Sequence, residues 1–225
     1  MEELSRLELL IGKDNLNKII NKKILVLGLG GVGSYAIEAL ARSGINNLII
    51  VDKDKIDITN LNRQLMTLHS NIGCNKTDVI ESRIKDINLN CNVIKITKEI
   101  NKENIQELID LKPDYIIDAC DTLEVKKELI RKSIKNDFKL ISCMGTGNKL
   151  IPKFEIMELS KTKYDPIAKI LRKMVKDEKI NKKIMVVSSY EKPIKTGKVI
   201  ASNSFVPATA GLLLASYVIN DIIRW

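Results

Sequence analysis

The chain has 225 residues, of which 44% are hydrophobic, and it carries a formal net charge of +9. This length and hydrophobic content are sufficient for one substantial core. Acidic and basic residues interrupt the N-terminal residues, so we do not expect them to form a signal peptide. The most apolar segment, 205–223, contains Pro207 and Asp221, so a buried helix is expected there rather than a membrane span. We expect a cytoplasmic protein with no membrane partner.

The four cysteines are scattered and form no CxxC pair, and the chain has one histidine. Zinc sites require clustered cysteines or histidines, and disulfide frameworks are typical of small secreted proteins. Neither is expected here. The cysteines are Cys74, Cys91, Cys120 and Cys143.

The excess positive charge is concentrated in one segment. Residues 153–198 contain 13 Lys or Arg and 6 Asp or Glu, whereas the rest of the chain contains 24 and 22. A local basic excess suits a polyanionic partner such as nucleic acid. A solvated, lysine-rich surface is the alternative interpretation.

A glycine-rich turn follows the first predicted strand, 24–27, and a predicted amphipathic helix at 35–42 comes after it. Strand, glycine turn and helix together allow backbone N–H groups to surround a phosphate. Asp52 ends the next strand, at the distance where a carboxylate meets a ribose hydroxyl. The pattern predicts a nucleotide site, although a tight turn that only packs helix on strand has the same glycines. These are Gly28, Gly30, Gly31 and Gly33.

Strands and helices continue to alternate along the first two thirds of the chain. Strands are predicted at 93–97, 115–118 and 139–143, and helices at 74–87, 102–111 and 123–135. This alternation predicts an α/β fold: a Rossmann-like, doubly wound, mainly parallel sheet with a C-terminal extension. We expect a single domain, 1–225, with a nucleotide-binding core at 1–150 and a basic insertion plus C-terminal helix at 151–225.

The basic segment contains one predicted helix and one predicted mobile loop. Asp165 and Pro166 form a plausible N-cap and first helical residue. Apolar residues then recur at helical spacing, and four basic residues lie off that stripe. They face either a polyanion or solvent. These candidate contacts are Lys169, Arg172, Lys173 and Lys176, and residues 179–198 are predicted to form the loop.

A second polar cluster lies between the predicted second and third strands, and two aspartates follow the fourth. A guanidinium and an ammonium near a phosphate-binding turn balance charge as pyrophosphate leaves. A carboxylate at the end of the fourth strand would hold Mg2+. Together they favour nucleotidyl transfer over hydride transfer. The cluster contains Asn60, Arg63, Gln64 and Lys76, and the aspartates are Asp118 and Asp121.

These motifs resemble the ATP-adenylating domain of the ubiquitin-activating-enzyme superfamily, which includes the ThiF and MoeB proteins. The resemblance implies that Asp52 holds the ribose and that Asp121 orients Mg2+. It also implies a homodimer in which Arg6 reaches the neighbour's ATP. Arg6, Arg63, Lys76 and Asp121 would be the catalytic residues. The nucleotide would contact Gly28, Gly30, Gly31, Gly33, Asp52, Asp54, Asn60, Arg63, Gln64 and Lys76.

The second half resembles one branch of that superfamily, the tRNA threonylcarbamoyladenosine dehydratases. The similar stretches are the MGTGNKL run at 144–150, the KTxxDP run at 161–166 and the SSYEKP run at 188–193; Ile151 departs from the branch pattern. The resemblance implies ATP-dependent ring closure of threonylcarbamoyl adenosine in tRNA through an acyl adenylate. It also implies that ring closure needs no enzyme cysteine, because the nucleophile belongs to the substrate.

Three other functions share parts of this pattern. A sulfur-carrier adenylyltransferase has the ATP cluster but acts on a partner protein's C-terminal tail. An NAD-dependent oxidoreductase uses the glycine turn but leaves Arg63, Lys76 and Asp121 without a role. A non-catalytic nucleotide-sensing or RNA-binding module is a different class again. A sulfur-relay protein stays open as a further partner.

Overall fold

The computed structural model describes residues 2–224, and its strands form one seven-stranded sheet in the order β3-β2-β1-β4-β5-β7-β6. All neighbouring strands are parallel except β6, which is antiparallel to β7 at one edge. This architecture confirms the predicted Rossmann-like, mainly parallel fold. The strands are β1 (Lys23–Leu27), β2 (Asn47–Val51), β3 (Asn92–Ile96), β4 (Tyr115–Asp118), β5 (Lys139–Cys143), β6 (Glu155–Glu158) and β7 (Met185–Ser188).

Helices cover both faces of the sheet. The central strands are buried on both sides because their side chains alternate between two apolar clusters: Ile24 and Val26 of β1 face one, and Leu25 and Leu27 the other. The helices are α1 (Ser5–Ile11), α2 (Lys13–Ile20), α3 (Gly33–Arg42), α4 (Lys76–Ile87), α5 (Ile105–Asp110), α6 (Leu123–Lys135), α7 (Pro166–Asp177) and α8 (Phe205–Ile222).

Helix α8 is long and apolar enough to cross a membrane by length and composition alone. One of its faces is buried, and the helix packs against α3. The approach is close at Gly211, where a Cβ atom would lie 2.2 Å from the carbonyl oxygen of Val32. The helix is therefore part of the core of this fold, in the place where the sequence predicts a buried helix.

The prediction of a loop at 179–198 is wrong in part. Residues Met185–Ser188 form β7, and Val186 and Val187 are fully buried between β5 and β6. Strand β6 was also missed. Both strands have four residues and stand among lysines, so their apolar runs are too short to separate from loop by pattern alone. The C-terminal third thus completes the sheet of the first 150 residues.

Candidate active site

The carboxyl ends of β1, β2, β4 and β5 lie along one edge of the sheet because these strands are parallel. The glycine turn follows β1, Asp52 follows β2, and Asp121 lies shortly after β4. Strand order reverses between β1 and β4, and open α/β sheets bind ligands in the crevice at such a point. The predicted nucleotide residues therefore converge on the edge where a ligand is expected.

Two of the four glycines are required by the shape of the turn. Gly28 has a positive φ of 88°, and a Cβ there would lie 2.8 Å from the carbonyl oxygen of Ala119. A Cβ at Gly33 would lie 1.8 Å from the carbonyl oxygen of Gly28. Gly30 is different, because its nearest neighbour would be the Gln64 side chain at 3.7 Å. The fold of the turn therefore has room for a Cβ at Gly30, unlike at Gly28 and Gly33.

Asp52 links the glycine turn to the end of β2. One carboxylate oxygen accepts a hydrogen bond from the backbone N–H of Leu29 at 2.7 Å, and the other accepts from the N–H of Asp54 at 2.8 Å. The Lys76 ammonium lies 2.9 Å from Asp54 Oδ2 and 3.9 Å from Asp52 Oδ1, and Lys76 is buried. A cation is thus held beside the turn before any phosphate arrives.

The Asn60–Gln64 segment lies directly beside the turn. A Cβ at Gly31 would be 3.3 Å from the carbonyl oxygen of Arg63, and Gln64 is buried. Arg63 donates from Nη1 to the Thr59 carbonyl at 2.8 Å. Asn60 is buried and accepts a hydrogen bond from the Asp57 N–H through Oδ1 at 3.1 Å. The structure thus brings the predicted cluster to the glycine turn, with the Asn60 side chain stabilising the local backbone.

The two aspartates after β4 differ in their surroundings. Asp118 is fully buried, and its Oδ2 accepts a hydrogen bond at 3.0 Å from Lys126, which is also buried. Lys126 donates to the carbonyl oxygen of Cys143 as well, at 2.9 Å. Burial by itself lowers the pKa of Lys126, but the Asp118 charge and hydrogen bond, together with the neighbouring Cys120 and Cys143, raise that pKa above its ordinary value. Asp118 is therefore a structural ion-pair partner, and exposed Asp121 is the carboxylate that remains free to meet a ligand.

The thiol of Cys120 donates to Asp118 Oδ1 at 3.0 Å. Burial and the neighbouring Asp118 charge raise the pKa of this thiol well above its ordinary value. Burial also raises the pKa of the Cys143 thiol to about 12 and that of Cys91 to about 11. Thiolates are the reactive form of cysteine, so these three residues lack the character of nucleophiles. Cys74 is exposed.

Arg6 lies on α1 and is exposed. Within residues 2–224 its guanidinium makes no hydrogen bond or ion pair. On the same helix Leu9 and Leu10 are 88% and 81% exposed. Helix α1 thus presents Arg6 and two apolar side chains on the surface of the described chain.

The four basic residues of α7 do not share one environment. Lys169, Lys173 and Lys176 are exposed on one face, whereas Arg172 donates to the carbonyl and hydroxyl oxygens of Thr162. A groove of about 640 Å³ follows the C-terminal half of the helix. Its basic lining residues are Arg172, Lys176, Lys179, Lys182 and Lys183.

The sequence prediction missed two buried lysines. Lys126 lies on the apolar stripe of α6 with Leu129 and Ile130. A lysine on such a stripe could have been recognised in the sequence, because a buried ammonium needs an acidic partner. Lys149 is 3% exposed, and its ammonium lies 3.7 Å from Asp165 Oδ2. It belongs to the 144–150 run, but nothing in the sequence pattern assigns it a role.

Comparison with known proteins shows which family has this chain's sequence and fold. A sequence model described as the ThiF family matches residues 4–150. The chain is 42% identical to the tRNA threonylcarbamoyladenosine dehydratase of Bacillus subtilis, over 100% of this chain and 96% of that protein. A molybdopterin-synthase adenylyltransferase of Haemophilus influenzae is more distant, at 30% identity over 57% of this chain and 53% of that protein.

Solved structures give the same result. The tRNA N6-threonylcarbamoyladenosine dehydratase TcdA of Escherichia coli, in complex with ATP, superposes with a TM-score of 0.93 at 31% identity, covering 99% of this chain and 94% of that one. Its complex with AMP gives a TM-score of 0.92 at 30% identity, with the same coverage. The chain belongs to the ThiF family and, within it, to the tRNA threonylcarbamoyladenosine dehydratases.

Proposed function

We propose that this protein catalyses the ATP-dependent dehydration of N6-threonylcarbamoyladenosine in tRNA, which closes a ring through an acyl-adenylate intermediate. The observation that carries the proposal is the match along the whole chain, including the basic C-terminal third, to a dehydratase. The adenylyltransferase relative matches little more than half of the chain. The ATP and AMP complexes of the E. coli dehydratase support ATP as the second substrate.

The first step joins the substrate carboxylate to the α-phosphorus of ATP and releases pyrophosphate. The glycine turn offers backbone N–H groups and the N-terminus of α3 to the phosphates. Arg63 and Lys76 lie beside that turn and stabilise the negative charge that develops on the leaving pyrophosphate. Asp52, held by two backbone N–H groups, is placed to accept from a ribose hydroxyl.

Asp121 is the residue that would hold Mg2+ with the ATP phosphates. Its carboxylate is exposed at the end of β4, whereas Asp118 is committed to Lys126. Carboxylate and phosphate oxygens are the hard ligands that Mg2+ prefers. When bound, the metal would supply charge neutralisation for the departing pyrophosphate. Asp121 fits this role because no other side chain of residues 2–224 forms an ion pair or hydrogen bond with it.

In the second step the neighbouring carbamoyl group attacks the activated carbonyl, the ring closes, and AMP leaves. The lost oxygen departs with AMP, which accounts for the net dehydration. Nucleophile and electrophile belong to one substrate residue, so the step gains from proximity and needs no enzyme thiol. The raised pKa values of the Cys120 and Cys143 thiols support this direct route.

The tRNA substrate docks on the exposed basic face of α7 in this proposal. Lys169, Lys173 and Lys176 share that face, and the groove beyond them adds further lysines. Lysines contact phosphates without reading sequence, which suits an enzyme whose target is one modified nucleoside. The proposal places the protein in the cytoplasm and treats residues 1–225 as one adenylating unit.

We further propose a homodimer in which each site borrows Arg6 from the neighbour. Supporting features are the unpaired state of Arg6 within residues 2–224 and the exposure of Leu9 and Leu10 beside it. Mixing Arg6→Ala chains with Asp121→Ala chains, each inactive alone, should restore activity, because one site of every mixed dimer is intact. An active chain that stays monomeric in light scattering would contradict this arrangement.

The function is tested with purified protein, ATP, Mg2+ and tRNA that carries threonylcarbamoyl adenosine. Mass spectrometry of the nucleosides should show the loss of one water, with one AMP and one pyrophosphate released per ring closed. ATP–pyrophosphate exchange driven by a sulfur-carrier tail, with no change in tRNA, would favour the adenylyltransferase. Adding a candidate sulfur-relay protein tests the further partner: an increased rate of ring closure would identify that protein as a partner.

A further inference from the structure

The backbone of Gly145, just after β5, is held from both sides by a buried ion pair. Its N–H donates to Asp165 Oδ2 at 2.9 Å, and its carbonyl oxygen accepts from the Lys149 ammonium at 2.6 Å. Both side chains are nearly inaccessible to solvent. Lys149 also lies over the ring of Phe154, 5.4 Å from its centroid. The ion pair therefore fixes the two successive peptide units that meet at Gly145, in addition to balancing its own two charges.

Asp165 also connects the Lys149–Asp165 ion pair to α7. Its Oδ1 accepts from the backbone N–H of Ala168 at 2.9 Å and so caps the helix. One carboxylate thus bonds the first turn of the basic helix and the loop that follows β5. Because a bidentate buried carboxylate leaves neither partner free to move alone, α7 and the 144–150 loop are joined as one rigid unit.

The position of this loop in the sheet indicates what it faces. Strand β5 lies next to β4, on the side of the glycine turn opposite to β2. Asp52, the ribose residue, follows β2, so the phosphate and acyl end of the nucleotide lies towards β4 and β5. The 144–150 loop consequently lies on the side of the turn from which the substrate carboxylate must enter, one strand beyond the loop that follows β4.

We propose that Asp165 and Lys149 are positioning residues that align the modified nucleoside of a tRNA docked on α7 with the acyl adenylate for ring closure. This inference rests on the proposed function. Neither side chain touches the reacting atoms, since both are buried. Their effect passes through the two peptide units on either side of Gly145, which they hold at a fixed distance from the start of α7.

The test uses a double variant, Lys149→Met with Asp165→Asn, in the full-length protein. Removing both charges avoids an unpaired buried ion, which would be strongly destabilising, and asparagine still caps a helix well. We expect the rate of ring closure to fall by about 100-fold, the loss that a misplacement of roughly 1 Å can cause. The KM for ATP and the affinity for tRNA should be unchanged.

The decisive readout is the number of ATP molecules consumed per ring closed. A misaligned carbamoyl group leaves the acyl adenylate open to water, which returns the carboxylate and AMP. The variant should therefore consume several ATP molecules per ring. A loss of stability alone would lower the amount of active enzyme without changing this ratio. The matched control is Asp221→Asn, which removes a carboxylate paired with Lys139 and Tyr115 at the opposite edge of the sheet.

Two results overturn the proposal. If the double variant closes one ring per ATP at the wild-type rate, the role assigned to the ion pair is wrong while the proposed function stands. If the wild-type protein makes AMP but closes no ring, the proposed function itself fails and takes this inference with it. Should the double variant not fold, Gly145→Ala gives the same test. Its Cβ would lie 3.0 Å from Asp165 Oδ2 and push the Asp165 carboxylate away from the Gly145 backbone.

Discussion

The nucleotide edge of the sheet and the basic face of α7 use polar side chains in opposite ways. At the nucleotide edge, Asp52 accepts two backbone N–H groups and Lys76 is buried against Asp54. On α7, Lys169 and Lys173 are exposed, and within residues 2–224 they have no ion-pair partner. Attack on the α-phosphorus of ATP needs hydrogen-bond donors and cations that are fixed in place before the reaction. Attraction of a polyanion needs only charge at the surface.

This difference predicts that single substitutions at the nucleotide edge will be severe and that those on α7 will act only in sum. The largest effect is expected for Asp121→Ala, which should lower turnover by roughly 1,000-fold because it removes the carboxylate that would hold the charge-neutralising Mg2+. Calorimetric unfolding should show an unchanged midpoint, since Asp121 is exposed. Asp137→Ala, an exposed aspartate before β5, is the matched control and should keep full activity.

Two glycines of the turn, Gly33 and Gly30, differ in whether the fold has room for a side chain. Gly33→Ala should destabilise the protein by about 1–3 kcal/mol or more, the usual cost of overpacking, because its Cβ would overlap the Gly28 carbonyl. Gly30→Ala should leave the free energy of unfolding almost unchanged in the absence of ATP, because that Cβ would meet only Gln64. Denaturant titrations of the two variants make the comparison. Equal stability would show that the turn relaxes around the new methyl group.

On α7 the exposed lysines should act as a sum. Lys169→Glu, Lys173→Glu and Lys176→Glu together should weaken tRNA binding by about tenfold or more and flatten its salt dependence. Arg172 is kept because it supports Thr162. A control with the same change in net charge reverses Lys13, Lys112 and Lys135, which are exposed elsewhere. If both triple variants bind tRNA equally, the basic face of α7 is only a solvated surface.

The smallest effect is expected for the cysteines. A variant with all four changed to Ser or Ala should keep its rate of ring closure. At pH 8 an alkylating reagent should modify exposed Cys74 first. Burial raises the pKa of Cys91 to about 11 and of Cys143 to about 12, so their thiolate form, and hence their labelling in the folded protein, grows only as the pH approaches those values. A Cys120→Ser protein that binds ATP and accumulates the acyl adenylate would refute the direct mechanism.

Several elements were predicted within one or two residues, for a simple reason. Strand β4 and helix α6 have the predicted bounds, β1 begins one residue earlier than predicted, and β2 is shifted by one residue from the prediction that Asp52 ends it. These segments are strongly apolar or strongly periodic, and such patterns depend on local sequence. Strands β6 and β7 were missed because their four residues each become strands only by pairing with one another and with β5.

The amino-acid sequence by itself determined the parallel sheet, the glycine turn and the set of polar residues that meet at its carboxyl edge, because strand direction brings those ends together. Only the tertiary structure decided which of them bond to protein. Asp118 and Asp121 are three residues apart and chemically identical, yet one is paired with buried Lys126 and the other is exposed. The joining of Lys149, Gly145 and Asp165 was likewise decided by packing, since ion pairs between distant segments leave no periodic trace in the chain.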